Sequence, residues 1–383
     1  MKRKICFVLT YRGNYAKTKS IMREIKNIPD LELQLVVGGA VILHKFGNPI
    51  NLIEADGFKV DEMVHFLVEG GKPITMAKST GLAIVELSTV FENFRPDIVV
   101  AIADRFEAMA VAVAASYMNI PVAHIEGGEL SGSIDESIRH AITKLSHLHF
   151  VATEKSAERV IKMGEDPSTV YVVGSPSLDL IHDLDLGHDV NIFERYTGVG
   201  PVFEIKKGGY LVVIQHPVTT EYETAGKYVE ETLHAVNEMK MPTLWLWPNM
   251  DAGTDDVSKG IRTFREKYEP KQIHFFKNFA FEDYARLLNN CGCLVGNSSS
   301  GIRESAFLGI PTVNIGTRQN FRERGKNVMD VPYDRNEIKK AIEAQTAHGK
   351  YPPNHLYGDG KAGKKIADVL ANCNITIQKK MTF

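Results

Sequence analysis

Short apolar runs rich in β-branched residues recur along the chain, and each is followed by a stretch with helical spacing. The runs of the first part are KICFVLT, LELQLVVGG, DIVVAIA, IPVAHIEGG, LHFVAT and TVYVVG; those of the last part are GYLVVIQH, PTLWLWPN, QIHFFKNF, GCLVGNSSSG and IPTVNIG. This alternation predicts parallel strands joined by crossover helices that cover both faces of a sheet. We therefore predict an α/β protein with two Rossmann-like, doubly wound sheets and a ligand site in the cleft between them.

A stretch rich in Pro, Gly, Asp and charged residues interrupts this alternation from about Ser175 to Gly208. We therefore expect a Rossmann-like amino-terminal domain over residues 1–175, a linker region over 176–208 and a Rossmann-like carboxyl-terminal domain over 209–360. Residues 361–383 are expected to form a helix and tail that pack back on the amino-terminal domain. A length of 383 residues is enough for two domains with separate cores.

Charge and cysteine content exclude several classes of protein. The 45 basic and 47 acidic side chains give a net charge of -2, so the chain lacks the basic excess that nucleic-acid binding requires. Four scattered cysteines are expected to be buried thiols in a reducing compartment. No segment approaches the roughly 18 apolar residues of a membrane helix, and the first apolar run is too short for a signal peptide. We expect a cytoplasmic protein with no nucleic-acid or membrane partner.

The segment IEGGELSGSIDESIRH, residues 125–140, places four carboxylates between an apolar strand and a helix. Ser133 and Glu136 have the spacing of a capping box, which explains Glu136 structurally. Glu129 is expected to be solvated in the loop. Glu126 ends a strand beside two glycines, has no cap or helical partner evident in the sequence, and is expected to face the cleft.

Two other carboxylates allow two interpretations each. Asp135 can act in catalysis or form a surface ion pair with Arg139, one turn further along the helix. Asp104 follows the strand DIVVAIA, where an N-cap of the next helix is favoured on sequence alone, although the cap position is also the cleft position. If Asp104, Glu126 and Asp135 converge, their proton affinities are pushed apart, as acid and base chemistry requires.

The segment CLVGNSSSGIRESAFLGIPTVNIGTRQ predicts an anion cradle. A strand ends at Val295 and a helix starts near residues 299–301, so free backbone amides and serine hydroxyls point at one place. The alternative is an ordinary serine-capped helix, which needs one serine rather than three. Glu304, a turn inside the helix, can bind the hydroxyls of a ribose or can complement the helix dipole. Arg318 offers a planar fork suited to phosphate.

Three further strand ends carry polar side chains. His216 ends the first strand of the carboxyl-terminal domain, where it either faces the cleft or is a core histidine, and Asn249 occupies the equivalent place one unit later. Arg12 and Lys17 lie at the first strand–helix junction, TYRGNYAKTKSIM. They form either a solvated basic turn or, together with the serine cradle, a site for a diphosphate held between the two domains.

Five of these segments resemble the hydrolysing UDP-N-acetylglucosamine 2-epimerases of sialic-acid and other nonulosonic-acid biosynthesis. They are ADRFEA, HIEGGELSGSIDESIRHAITKLSHLHF, QHPVTT, PNMDAG and GNSSSGIRESAFLGIPTVNIGTRQ, and the resemblance covers nearly the whole chain. It implies a glycosyltransferase-B-like arrangement with UDP in the cleft and with no metal or other cofactor. It also implies a homodimer or homotetramer, formed through the apolar helix after Asp104, although that helix can simply be buried against its own sheet.

The resemblance also implies roles for individual residues. The catalytic side chains are Asp104, Glu126, Asp135 and His216, and the UDP contacts are Arg12, Arg105, His216, Asn249, Phe279, Ser298, Ser299, Glu304 and Arg318. The first loop departs from the family pattern R-A-D-Y-(S/G), because here it reads Arg12-Gly13-Asn14-Tyr15-Ala16. The contact of the usual serine is therefore lost, and the role of Asn14 is open.

The reaction implied by the resemblance converts UDP-N-acetylglucosamine and water to N-acetylmannosamine and UDP, by elimination to a glycal and rehydration. The segment LHKFGNPINLIEADGF resembles the hydrolysing branch, because the non-hydrolysing branch has a Q-H-x-x-M type loop there. An alternative substrate is UDP-2,4-diacetamido-2,4,6-trideoxyglucose, used for legionaminic acid. A glycosyltransferase-B sugar transferase or a non-catalytic nucleotide-sugar sensor would use the same nucleotide cleft.

Overall fold

The alternation of strands and helices in the sequence recurs in the computed structural model, which describes residues 2–44, 49–187, 191–249 and 251–382. Seven strands form the first sheet, in the order β3-β2-β1-β4-β5-β6-β7, and all are parallel. They are β1 Arg3–Leu9, β2 Leu31–Gly38, β3 Glu62–Val64, β4 Ile98–Ile102, β5 Val122–Ile125, β6 Leu148–Val151 and β7 Val170–Val172. The helices between them are α1 Arg12–Asn27, α2 Pro49–Ala55, α3 Pro73–Phe94, α4 Phe106–Tyr117, α5 Asp135–Leu145 and α6 Glu154–Lys162.

The second sheet has the order β14-β13-β12-β9-β10-β11-β8, and β8 is its one antiparallel strand among the described residues. Its strands are β8 Gly198–Val199, β9 Leu211–Ile214, β10 Thr243–Leu246, β11 Ile273–Phe276, β12 Cys293–Gly296, β13 Thr312–Ile315 and β14 Val328–Val331. The helices of this part are α7 Asp179–His182, α8 Ile192–Arg195, α9 Ala225–Met239, α10 Thr254–Tyr268, α11 Phe281–Asn290, α12 Glu304–Leu308, α13 Arg335–His348 and α14 Ala362–Asn372. Short 3-10 turns occur at Gly39–Ile42, Pro167–Thr169, Pro176–Leu178, Thr219–Thr224 and Ser299–Gly301.

Both faces of each sheet are covered, as the continuous apolar strands predict. In β1, Ile5, Phe7 and Leu9 pack into one core while Cys6 and Val8 pack into another on the opposite face. This two-sided burial follows from the alternation of side chains along a strand. Strand order reverses direction between β1 and β4 and between β9 and β12, and ligands bind doubly wound sheets beside such points.

The predicted linker region contributes to the second sheet. Strand β8 lies within residues 176–208 and pairs antiparallel with β11, so part of this region adds a strand to the second sheet. The chain returns to the first sheet through α14, whose Ile366 and Leu370 lie in the same core as β1. Asp179 accepts hydrogen bonds from the amides of Ala362 and Gly363 and so fixes the start of α14.

Helices α3 and α4 differ in what they expose. Helix α4 is packed between its own sheet, α3 and α5, so it is buried within its own chain. Helix α3 turns Ile74, Leu82 and Val85 outward. Contrary to expectation, α3 is long and apolar enough to cross a membrane, and it is the one such helix among the described residues. This is weak evidence, because a core helix of a protein in water can pass the same test of length and composition.

Candidate active site

A cavity of about 940 Å³ lies where the carboxyl ends of the two sheets face each other. Residues before 176, the amino-terminal half, and residues from 176 onward, the carboxyl-terminal half, both line it. The predicted site residues on its wall are Arg12, Asp104, Arg105 and Asp135 from the first half and His216, Asn249, Ser298, Ser299 and Arg318 from the second. Three predicted residues of the described chain, Glu126, Phe279 and Glu304, are not among those that line it.

The two strand ends that carry acids in the amino-terminal half have strained backbones. Ala103, directly before Asp104, has φ +60°, and Glu126 has φ +63°, which are uncommon values for residues with a side chain. Each is held by the sheet, because the amides of Ala103 and Glu126 donate to the carbonyls of Ile125 and Phe150. Such strain persists where surrounding structure over-determines the backbone, as it does at active sites.

Asp104 is not a helix cap. Helix α4 begins one residue later than a cap at Asp104 requires, and its N-cap position is Arg105. The carboxylate of Asp104 instead pairs with Arg139, whose guanidinium also donates to the carbonyl of Glu129 and to Ser131. Burial raises the pKa of Asp104, but Arg139 and then Lys17 outweigh it, and the pKa is lowered overall. Asp104 is therefore a fixed carboxylate at neutral pH.

Asp135 lies at the first position of α5, on the cavity wall. The predicted capping box does not form, because the Oγ of Ser133 accepts from the amide of Asp135 and the carboxylate of Glu136 accepts from the amide of Ser131. The predicted pair of Asp135 with Arg139 is absent as well, since Arg139 is turned toward Asp104. Burial, with the nearby charges of Asp104 and Asp251, raises the pKa of Asp135 to about 6.

Glu126 and Glu129 are buried, which corrects both predictions made for them. Glu126 is 1% exposed and lies behind the cavity wall, where Lys17, Ser175 and Arg303 bind its two oxygens. Burial raises the pKa of Glu126, but Arg303 and Lys17 outweigh this effect and lower the pKa to about 2. Glu129 is 3% exposed rather than solvated, and it pairs with Arg303 and with a second arginine of the carboxyl-terminal half.

The serine segment forms a tight turn rather than the start of a long helix. Strand β12 ends at Gly296, a 3-10 turn spans Ser299–Gly301, and α12 begins at Glu304. Ser298 caps the turn by accepting from the amide of Ser300, and both Ser298 and Ser299 line the cavity. Amide and hydroxyl donors at the start of a helical turn suit an anion.

His216 is held as a neutral donor. The backbone amide of Asn249 donates to Nδ1 of His216 at 3.0 Å, so Nδ1 is the acceptor and the neutral ring carries its proton on Nε2. Burial, together with Arg318 and Arg105, lowers the pKa of His216 to about 3. The side-chain amide of Asn249 binds Asp251. His216 therefore offers one N–H to the cavity without changing its charge near neutral pH.

The three predicted phosphate-binding arginines differ in how far they are already occupied. The side chain of Arg12 makes no hydrogen bond or ion pair with any residue in the described ranges, and burial lowers its pKa more than the nearby Tyr196 and Glu282 raise it. Arg318 donates to the carbonyl of Asn297 at 3.2 Å. Arg105 is bound on one side by Glu107 and on the other by Asp251 of the opposite half, at 2.6 Å. Arg12 is thus the most available of the three for an anion.

Glu304 and Phe279 lie just behind the wall. Glu304 is the first residue of α12, not a turn inside it, and is 9% exposed. Its Oε2 is buried and has no hydrogen-bond partner within the described ranges, which an acceptor awaiting ribose hydroxyls would show. Phe279 packs edge-to-face on Tyr196 and against Phe276. It can shape the base end of the cavity through these rings.

Sequence reasoning missed several residues of the site. Arg303 and Arg322 line the cavity and hold the buried glutamates, and Asp251 joins Arg105 and Asn249 across the two halves. Arg303 directly precedes Glu304 in the cradle segment, so its position in the motif was visible. Its partners were not, because Glu126 and Glu129 belong to another sheet.

The sequence and the fold have relatives with known names. A sequence model of the UDP-N-acetylglucosamine 2-epimerase family matches residues 23–371. The chain is 34% identical over 370 residues to UDP-N,N'-diacetylbacillosamine 2-epimerase (hydrolyzing) of Legionella pneumophila, covering 97% of this chain and 96% of that protein. It is 32% identical over 386 residues to UDP-N-acetylglucosamine 2-epimerase of Neisseria meningitidis, covering 99% and 98%.

Solved structures show the same fold. Methanocaldococcus jannaschii UDP-GlcNAc 2-epimerase in complex with UDP-GlcNAc and UDP gives a TM-score of 0.78 at 19% identity, covering 96% of this chain and 99% of that one. UDP-GlcNAc 2-epimerase from Neisseria meningitidis bound to UDP-GlcNAc gives 0.77 at 17%, covering 96% and 99%. The predicted fold of two Rossmann-like units in a glycosyltransferase-B-like arrangement is confirmed.

Proposed function

The chain belongs to the UDP-N-acetylglucosamine 2-epimerase family, and from this premise we propose that it is a hydrolysing 2-epimerase. Its reaction converts UDP-N-acetylglucosamine and water to N-acetylmannosamine and UDP, through a glycal. The observation that carries the proposal is one cavity in which Asp104 and Asp135 of the amino-terminal half lie opposite the serine turn of the carboxyl-terminal half. A diphosphate on that turn directs the first two carbons of its sugar toward the carboxylates.

Departure of UDP is the first requirement. The proton on carbon 2 is weakly acidic, so it can be removed only when the bond from carbon 1 to the diphosphate oxygen is breaking and positive charge grows on the ring. Ser298, Ser299, Arg12 and Arg318 supply donors for the negative charge that develops on the diphosphate, and His216 adds its Nε2 proton. Preorganised donors of this kind typically contribute about 2–4 kcal/mol each.

The two cavity carboxylates are suited to different tasks. Asp104 stays ionised because Arg139 and Lys17 hold its pKa low, so it stabilises positive charge on the ring. Asp135, with a pKa of about 6, is matched to proton transfer near neutral pH and takes the proton from carbon 2. Water then adds its hydroxyl to carbon 1 and a proton returns to carbon 2 from the opposite face. Glu126 lies behind the cavity wall and influences the reaction through Lys17, which it contacts.

The mechanism is tested by running the reaction in heavy water. We expect one solvent-derived deuterium at carbon 2 of the released N-acetylmannosamine, measured by NMR and mass spectrometry, with UDP formed in equal amount. A product with protium at carbon 2 contradicts elimination. UDP release without an added acceptor sugar separates this function from a glycosyltransferase, and any turnover at all separates it from a nucleotide-sugar sensor.

A second substrate is favoured by a specific observation. The Legionella relative, at 34% identity, is named for UDP-N,N'-diacetylbacillosamine rather than UDP-N-acetylglucosamine. Incubating the protein with each nucleotide sugar in separate and competing reactions, and comparing kcat/KM, decides between them. We expect UDP-N-acetylglucosamine to be the better substrate, and a reversal by tenfold or more contradicts that choice.

We also propose that the protein is cytoplasmic and forms a homodimer or homotetramer. The helix after Asp104 is covered by its own chain, so the exposed apolar face of α3, formed by Ile74, Leu82 and Val85, is the better contact surface. Replacing Leu82 and Val85 by glutamate should convert the oligomer to monomer in sedimentation equilibrium. A wild-type protein that sediments as a monomer contradicts the proposal.

A further inference from the structure

One arginine on the cavity wall reaches from the carboxyl-terminal half to buried carboxylates of the amino-terminal half. Arg303 belongs to the cradle segment, and its backbone amide donates to the carbonyl of Ser299 at 3.0 Å. Its side chain crosses to the amino-terminal half, where Nη1 lies 2.9 Å from Oε1 of Glu126 and Nη2 lies 2.7 Å from Oε2 of Glu129. A single guanidinium thus connects the anion-binding turn with two glutamates of the opposite sheet.

This connection is buried and incompletely satisfied. Arg303 is 3% exposed, and Arg322 also reaches Oε2 of Glu129, at 3.2 Å. Within the described residues, Oε1 of Glu129 and the Nε atoms of both arginines have no hydrogen-bond partner. Unpaired buried polar atoms are costly and rare in a purely structural network. Their presence where the two halves meet is more typical of a network that serves the site than of a fixed core.

We propose that Arg303 is a positioning residue, which couples occupation of the serine turn to Glu126 by holding that carboxylate from across the two halves. The inference rests on the proposed function and deepens it. Arg303 does not act on the sugar; it couples the part that binds the diphosphate to the part that handles protons. Such coupling requires a two-pronged donor, which arginine has and lysine lacks.

The electrostatics around Glu126 agree with this geometry. Lys17 of α1, Ser175 and Arg303 contact the carboxylate. Its charge also acts on Tyr11, Glu129 shares Arg303 with it, and Asp104 shares the influence of Lys17. When Arg303 is removed, Lys17 and Ser175 alone oppose the effect of burial, and the pKa of Glu126 rises. The pKa of Glu126, followed by NMR titration of its carboxyl carbon, should then move upward by about one unit or more, whereas the rise of the rate near pH 6 belongs to Asp135.

The experiment compares Arg303→Gln and Arg303→Lys with the wild type. For Arg303→Gln we expect kcat to fall about 100-fold, because a small misplacement of reacting groups has that effect. The pKa of Glu126 should shift upward, while the Kd of UDP from titration calorimetry changes less than threefold. Arg303→Lys should restore the pKa of Glu126 but only part of kcat. A large loss of UDP affinity would make Arg303 a binding residue and overturn the proposal, as would an unshifted pKa of Glu126.

A readout that does not need turnover separates this inference from the proposed function. In wild type, UDP should slow hydrogen–deuterium exchange in the peptide covering residues 126–133, and Arg303→Gln should lose at least half of that protection although UDP still binds. Equal protection in both proteins overturns the inference. A wild type that shows the protection but makes no N-acetylmannosamine contradicts only the proposed function.

Two further variants cover the case in which Arg303→Gln fails to fold. Glu129→Gln leaves every partner of Glu126 in place and removes the second anchor of Arg303, so we expect a partial loss of UDP-induced protection, a tenfold fall in kcat and an unmoved pKa of Glu126. Lys19→Gln is the matched control, because the buried Lys19 makes another ion pair between the halves, 2.9 Å from the partly exposed Glu282. It should keep wild-type protection and the wild-type pKa of Glu126. The inference is overturned if UDP-induced protection is unchanged in Glu129→Gln. It is also overturned if Lys19→Gln loses as much protection as Glu129→Gln does.

Discussion

The two strand-end loops that face each other across the cavity are built in opposite ways. After β5, the carboxylates are occupied: Glu126 has three partners and Glu129 has two arginines. After β12, an acceptor is left open, because Oε2 of Glu304 is buried and the described residues provide no partner for it. Ser298 and Ser299 beside it lie on the cavity wall. Both carboxylates of the first loop are ion-paired without a ligand, although Oε1 of Glu129 has no partner among the described residues, whereas Glu304 of the second loop has no ion pair there.

This difference indicates separate tasks. Groups that handle protons must be held in one position and one protonation state, which requires partners in the free protein. Groups that bind an anion must keep donors available until it arrives. Changes to occupied groups should therefore impair chemistry and leave affinity for UDP unchanged, whereas changes to open groups should impair affinity and leave the stability of the free protein unchanged.

The largest effect is expected for an occupied carboxylate. Asp104→Asn should lower kcat by about 10²- to 10⁴-fold, because loss of a group acting in the transition state has that range of effect. The Kd of UDP should stay within threefold. Steady-state kinetics and calorimetry test both values, and Asp330→Asn, which removes an exposed partner of Arg324 outside the cavity, is the control. Loss of UDP binding in Asp104→Asn would erase the distinction between occupied and open groups.

An open group should behave in the opposite way. Arg12→Gln should weaken UDP binding about 10- to 100-fold, since a charge-assisted hydrogen bond contributes about 1.5–3 kcal/mol. The melting temperature of the free protein should not fall, because no described residue loses an ion pair. Arg195→Gln is the matched control, as Arg195 pairs with Asp283 away from the cavity wall. A destabilised Arg12→Gln protein with unchanged Kd would contradict the division.

Asp135 tests the boundary between the two kinds of group. Its pKa is about 6 in the folded protein against an ordinary 3.8, so ionisation destabilises the folded state above pH 6, and this penalty disappears below about pH 4. Asp135→Asn should raise the free energy of unfolding by about 1–2 kcal/mol at pH 8, discounted for partial exposure. It should also abolish the rise of kcat/KM through pH 6.

Denaturant unfolding at pH 8 and pH 5, together with rate profiles, measures both effects of Asp135→Asn. The gain in stability should be smaller at pH 5 than at pH 8. A variant that is less stable than wild type at pH 8 would show that Asp135 is held as favourably as Asp104.

The smallest effect is expected at Glu304. Glu304→Gln should weaken UDP binding about three- to tenfold, through partial loss of one hydrogen bond to ribose. The variant should discriminate less than wild type between UDP and 2'-deoxyUDP, because the same acceptor reads the missing hydroxyl. Calorimetry of both proteins with UDP and with 2'-deoxyUDP measures the coupling free energy between Glu304 and the ribose 2'-hydroxyl. Equal discrimination by both proteins would remove Glu304 from the ribose site.

The fold was predictable because its signal is local. Each strand is an apolar run, and a covered parallel sheet requires nothing beyond alternation with helices, as β1, with Ile5 and Cys6 in different cores, illustrates. The pairing of β8 with β11 was not predictable, because two residues, Gly198 and Val199, carry no periodic pattern. The exposed face of α3 was missed because its apolar residues are spaced among Lys78, Gly81 and Glu86.

The site was predictable in part. The positions of Asp104, His216 and Ser298 on the cavity wall follow from their places at strand ends, and that of Asp135 from its place at the start of a helix. Their partners do not, because Arg139 can bind Asp135 in its own helix or Asp104 in another element, and only packing decides. The same limit explains Glu129, whose glycine-rich surroundings are typical of a solvated loop although two arginines bury it.

The most direct measurement is a crystal structure of Asp104→Asn with UDP-N-acetylglucosamine bound. The account predicts the diphosphate within hydrogen-bond distance of Ser298, Ser299 and Arg12, with carbons 1 and 2 of the sugar facing Asp135 and the substituted position. A sugar that points away from these two side chains, or a diphosphate held by other groups, would contradict it.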